Sequence, residues 1–177
     1  MHNEFVETLV YTAFNEIGVR EETKNAGTRI REYQTATTLG EGVYPWCAAF
    51  VSWCLKRTLE SPQIEKLLRN QGILRPEVST RTWRCRSARA FDWVPWARKN
   101  NLQVIENAVA LARKGDIIVY DFSHIGIVAI DQLASEHHVV AIEGNTNYKG
   151  LRDGDGVYAR HRPADPSIIT AYIRVLP

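Results

Sequence analysis

The chain has 177 residues, of which 45% are hydrophobic and 24% charged. That composition, at a length suited to one domain, excludes a disordered or low-complexity protein. The net charge of +2 is too small for a nucleic-acid binder that works by neutralising phosphates.

Residues Met1 to Arg20 hold Glu4, Glu7 and Glu16, with no basic opening and no long apolar run. Neither a secretory signal nor a membrane span is therefore expected, and residues 1–177 read as one domain synthesised in the cytoplasm. Phe5, Val6, Leu9, Val10, Ala13, Phe14 and Ile17 recur at helical spacing, with Asn3 as a cap and Gly18 as a stop. Residues 20–42 are polar and glycine-bearing, mainly loop, with a short helix around Ile30 to Tyr33. Pro45 then opens an apolar run, Trp46 to Leu55, suited to a buried helix whose first turn begins with proline and carries Cys47. Ser61-Pro62 ends it, and Gln63 to Asn70 forms a further short helix. The pattern from Ser87 to Asn101 is helical but must bend or restart at Pro95.

After Gly115-Asp116 the pattern becomes extended. Ile117 to Tyr120 and His124 to Ile130 read as a hairpin, and His138 to Glu143, Gly156 to His161 and Ile168 to Val175 as three more strands. Helices first and antiparallel strands second make an α+β fold.

Three cysteines without a CxxC pair fit neither a disulfide framework nor a zinc ribbon, which leaves a free thiol. Thiol catalysis needs a thiolate, and a helix N-terminus together with a neighbouring imidazolium favours one. Cys47 has the first by position, whereas Cys54 sits deep in the apolar run and Cys85 lacks a helix start. His124 follows a tight turn and begins a strand; His137, His138 and His161 fall in loop or surface contexts. Glu143 and Asn145 close the next strand, and either side chain can accept the imidazole N–H and fix its tautomer.

Tyr44-Pro45-Trp46-Cys47-Ala48-Ala49-Phe50-Val51-Ser52-Trp53, Lys114-Gly115-Asp116-Ile117-Ile118-Val119-Tyr120, His124-Ile125-Gly126-Ile127-Val128 and Glu143-Gly144-Asn145-Thr146 resemble, in order, the four blocks of CHAP-type cell-wall hydrolases. Gly18 to Glu21 and Arg29 to Tyr33 resemble the leader of the subgroup with the Trp-Cys-Ala-Ala-Phe block. The resemblance implies a papain-like (NlpC/CHAP) fold, with N-terminal helices packed on an antiparallel sheet. It also implies hydrolysis of a peptidoglycan amide bond, either as an N-acetylmuramoyl-L-alanine amidase or as an endopeptidase. The roles it carries over are nucleophile for Cys47, base for His124, orienting group for Glu143 and adjacent polar site residue for Asn145. Peptidoglycan is then the partner, no cofactor is needed, and an inhibitor protein would accompany an antibacterial toxin. Such an enzyme acts at the cell wall after release or dedicated secretion.

Tyr44, Trp46 and Trp83 are the candidate substrate contacts, Tyr44 also being a weak second oxyanion donor. Arg75, Arg81, Arg84, Arg86, Arg89, Arg98 and Lys99 against Glu77 and Asp92 give that stretch a net +5, suited to an anionic wall. Some relatives carry an aspartate-rich calcium loop before the cysteine, whereas residues 37–44 hold only Glu41. No metal site is expected, and residues 145–156 read as turns. Two rivals are a non-catalytic wall- or polyanion-binding module with Trp83, Trp93 and Trp96 as its platform, and a thiol acyltransferase.

Overall fold

The structure, a computed structural model, describes residues 4–107 and 110–176. Among them five α-helices precede a six-stranded antiparallel sheet, which gives the α+β class. The helices are α1 (Glu4–Phe14), α2 (Thr28–Gln34), α3 (Cys47–Thr58), α4 (Pro62–Asn70) and α5 (Trp93–Lys99), the last entered through a 3-10 turn, Ala90–Asp92. The strands are β1 (Gln103–Glu106), β2 (Ile117–Tyr120), β3 (His124–Val128), β4 (His138–Thr146), β5 (Gly156–Pro163) and β6 (Ile169–Arg174), in the order β1-β6-β2-β3-β4-β5.

Alternation along the strands divides the apolar residues between two cores. Ile117, Val119, Ile125, Ile127, Ile142, Ala171 and Ile173 pack with the helices, around Phe5, Leu9, Phe50, Leu55 and Trp93. Ile118, Tyr120, Val128, Ala141 and Tyr172 form a smaller cluster on the other face. The α3 helix is apolar all round because it is buried all round, from Cys47 to Leu55. Its partners are α1, α2, β3 and β4.

Two ion pairs, one half-buried and one buried, fix this frame. Glu16 accepts from Arg29 and from the Tyr33 hydroxyl, which ties the end of α1 to α2. Asp116 takes a bidentate pair of bonds from Arg174, at 2.9 and 2.7 Å, joining the start of β2 to β6. Most of the chemistry in the leader and in the Lys114-Gly115-Asp116 block is thus architectural.

Several expectations are adjusted. The cap expected from Asn3 lies outside the described residues. The first helix ends at Phe14, since Glu16 and Ile17 donate to Ala13 and Phe14 in tighter 3-10 bonds as Glu16 turns inward. The restart expected at Pro95 falls two residues earlier, where the 3-10 turn gives way to the α-helix at Trp93, so Pro95 sits in the first helical turn, where its missing N–H has no acceptor to lose. β4 runs past Glu143 to Thr146 through a register shift, with Asn145 at φ 57. The short β1 has no counterpart among the expected strands; it pairs only with β6, and four residues carry little periodicity.

Candidate active site

Three elements converge on one cluster. Cys47 is the first residue of α3, behind an N-cap residue, Trp46, whose side chain makes no capping bond. Trp46 is instead held from outside: its backbone N–H donates to Asn145 Oδ1 at 3.0 Å and its indole Nε1 to Glu21 Oε1 at 2.6 Å. The first-turn amides of α3 therefore have no acceptor from the cap side chain, and the helix start carries partial positive charge.

His124 opens β3 directly after a turn that takes Ser123 to φ 59, in the left-handed region. Its ring stacks on Phe122, with centroids 5.8 Å apart. Nε2 lies 2.9 Å from Glu143 Oε2, whereas Nδ1 is buried without a hydrogen-bond partner among the described residues. The Cys47 thiol is close enough to interact electrostatically with the ring. Nδ1 is thus the nitrogen left to exchange a proton with sulfur, while Nε2 is committed to Glu143.

Glu143 stands in β4 on the face it shares with Gly126. A Cβ at Gly126 would come within 2.8 Å of Glu143 Cγ, so only glycine lets the carboxylate pass. Gly144 has a similar part: a Cβ there would meet Trp46 Cζ3 at 2.6 Å and Phe50 Cβ at 2.8 Å, so its absence lets β4 close on α3. The Glu143 carboxylate, sealed from solvent, also accepts from the Tyr120 hydroxyl at 2.9 Å, from Arg162 Nε at 2.9 Å and from Arg162 Nη2.

The electrostatics follow from these contacts. Burial disfavours a charged Glu143, but the bonds from Arg162 and His124 outweigh it and hold the carboxyl down at about 2. Burial likewise opposes protonation of His124, yet the neighbouring Cys47 sulfur, with the Glu143 carboxylate behind, pushes the imidazole up to about 9. An imidazolium backed by a carboxylate is the state these contacts stabilise. Cys47 keeps 5% of its surface open to solvent and His124 none, so a substrate reaches the sulfur before the ring.

The structure brings Cys47 and Glu143 to His124, and the amide of Asn145 is not on the ring. It bonds the Trp46 backbone, Gly154 O at 3.0 Å and Asn25 Oδ1 at 3.3 Å, which makes it a brace behind the helix start. Of the expected substrate contacts, Trp46 is fully buried against Tyr33, and Trp83 is 3% exposed against Trp96, so neither presents a face to a ligand. Trp93 is buried as well and Trp96 half-buried, so of the three tryptophans expected to form a binding platform two present no face to a ligand. Tyr44 is half-buried, with its hydroxyl bonded to Gly40 O.

Cys54 and Cys85 are core residues: burial pushes both thiols up, Cys85 to about 11. His137, His138 and His161 are exposed. In residues 145–156 the Asn147 Oδ1 accepts from Lys149 N at 2.9 Å and Leu151 N at 3.2 Å, an Asx turn in keeping with the turn reading. Arg162, Tyr120 and Glu21 also frame the site, and no local motif marks them for that part. Arg162 offered one faint signal, a long cation in the strand next to the one that carries Glu143.

No protein-family model matches the chain, and no curated protein matches it significantly.

Proposed function

We propose that the chain is a papain-like cysteine amidohydrolase of the CHAP or NlpC kind, acting on an amide bond of peptidoglycan. The observation that carries the hydrolase half is the Cys47–His124–Glu143 constellation, with sulfur at a helix start and the imidazole fixed by a buried carboxylate. The peptidoglycan half rests on the sequence resemblance.

In this reading the Cys47 thiolate attacks the scissile carbonyl carbon, and the uncapped first-turn amides of α3, Cys47 N–H among them, take the oxyanion. The imidazolium of His124 gives its proton to the leaving amine, the C–N bond breaks, and a thioester forms on Cys47. His124, now neutral, takes a proton from water; the hydroxide adds to the thioester, and the carboxylic acid leaves as the thiolate and imidazolium re-form. The carbon skeleton gains one water in all.

A thiol acyltransferase would share the first half and differ only in the second acceptor. Mass spectrometry of purified sacculi digested by the protein distinguishes them: free carboxyl and amine termini mark hydrolysis, and a new amide to an added amine marks transfer. Sacculi left intact by well-folded protein, with or without added amine, would overturn the peptidoglycan reading.

An antibacterial protein that acts in the periplasm or wall after delivery, whether phage lysin or secreted effector, fits this chemistry, with an inhibitor protein as its partner in the producing cell. Among the described residues no helix is long and apolar enough to cross a membrane. The cellular test is expression with and without an added periplasmic signal. Lysis only with the signal supports the reading, and equal growth with folded protein in both arrangements counts against it.

A further inference from the structure

Resting on the reading of Cys47, His124 and Glu143 as a catalytic triad, we propose that Arg162 is a fourth, positioning member, which neutralises Glu143 and so sets how tightly His124 holds its proton.

The geometry is specific. Arg162 Nε and Nη2 take one oxygen each of the Glu143 carboxylate, the fork-on-fork arrangement that a lysine cannot reproduce. The guanidinium carbon sits 5.4 Å from the ring centroids of both Tyr120 and Phe122, which fixes its plane and limits its hydration. Its remaining arm, Nη1, donates to Gly150 O at 2.6 Å, so the same side chain holds the loop after β4. The charged and titratable groups around Glu143 come from each element packed against it: Tyr120 on β2, His124 on β3 with Cys47 of α3 beyond it, and Arg162 on β5.

Charge counting gives the role. Thiolate, imidazolium, carboxylate and guanidinium sum to zero in a site where a net buried charge is costly. Without Arg162 the same triad carries a net negative charge. The cluster then binds a proton more firmly, the thiolate forms only at higher pH, and an imidazolium facing an unneutralised carboxylate is a weaker acid toward the leaving amine. Arg162 thus lets the triad use a carboxylate as its orienting group while keeping the proton on His124 transferable.

The test compares wild type, Arg162→Met and Arg162→Lys by two readouts that need no substrate: the pH dependence of Cys47 alkylation by iodoacetamide, and the ring-nitrogen NMR titration of His124. Arg162→Met should move both to higher pH by on the order of one unit. Arg162→Lys should return them most of the way, since it keeps the charge and loses the fork. A merely structural tie to Gly150 would lower the melting temperature and leave both titrations in place, and unshifted titrations in folded Arg162→Met would overturn the proposal.

If Arg162→Met does not fold, stability is compared in the soluble single variant Glu143→Gln and in Glu143→Gln/Arg162→Met. Removing both charges should make the double variant the more stable of the two; a less stable double variant would overturn the pairing. Wild-type protein that titrates as described but leaves sacculi intact would refute the peptidoglycan reading alone.

Discussion

Nε2 of His124 lies 2.9 Å from Oε2 of Glu143, across neighbouring strands and with both side chains sealed from solvent. The bond settles which ring nitrogen is left for Cys47.

If the proposed hydrolase reading holds, Cys47, His124 and Glu143 should fail in a graded way. Cys47→Ala should bring hydrolysis to background, and His124→Ala should lower kcat by roughly 10²–10⁴-fold, the usual worth of positioned acid–base catalysis. Glu143→Gln is not a gentle change here. An amide can still accept the imidazole N–H, but Arg162 is left as a buried cation without its counter-charge, which costs about 3–5 kcal/mol of stability. Sacculus digestion, measured alongside urea unfolding, checks both halves. Full activity in Cys47→Ala would end the cysteine mechanism.

The pH dependence of stability should show a plateau with two shoulders. Glu143 is held at about 2 against an ordinary 4.5, so its contribution is complete above 4.5 and is lost as pH falls through 2. His124 is held at about 9 against an ordinary 6.5, so its contribution is complete below 6.5 and is lost as pH rises through 9. Urea midpoints should be highest between about 4.5 and 6.5. His124→Ala should lack the decline that wild type shows between 6.5 and 9; an identical decline in both proteins would contradict the assignment.

Asn145→Ala should act on the fold before it acts on the chemistry. It removes the acceptor for the Trp46 N–H and two further buried bonds. About 1–3 kcal/mol of stability should go with them, equivalent to a melting-temperature drop of roughly 2–4 °C per kcal/mol in a chain of this size. Activity per folded molecule should fall less than in Glu143→Ala, as active-site titration of the soluble fraction would reveal. The reverse ranking would give the orienting role to Asn145.

Alkylation should be selective. Iodoacetamide at neutral pH should label Cys47 first, because Cys54 is fully enclosed and burial holds the Cys85 thiol at about 11. Peptide mapping after brief exposure reads the order. Equal labelling of all three cysteines in folded protein would mean that the environment of Cys47 does not activate it.

The basic stretch should show in salt dependence. Arg84 is buried, and Arg98 pairs with Glu106, which leaves Arg75, Arg81, Arg86, Arg89 and Lys99 at the surface. The Arg86 carbonyl accepts from Thr38 N at 2.8 Å, which sets this stretch beside the loop that leads to Cys47. Exposed charge is screened over about 8 Å at physiological ionic strength. Binding to anionic sacculi should therefore weaken with salt more than turnover of a small soluble muropeptide does. Parallel salt curves would remove these residues from substrate attraction.

The sequence by itself determined what depends on local pattern. The apolar run opened by Pro45 predicted a buried helix with Cys47 in its first turn, although the helix begins at Cys47 itself, two residues past the proline, and the turn before His124 predicted a strand starting there, because periodicity and turn chemistry are written in neighbouring residues. It left Glu143 and Asn145 as equal candidates, since both sit at the end of one strand. Only the tertiary structure separated them: the bulge at Gly144-Asn145 sends one side chain to His124 and the other to the helix start. Tertiary packing also drew Trp46, Trp83 and Trp93 into the core, where composition alone suited them equally to a binding surface. Arg162 belongs to the same class of residue. Its meaning lies in a carboxylate nineteen positions away across a strand pair, and no local signal encodes which long side chain will close on which buried charge.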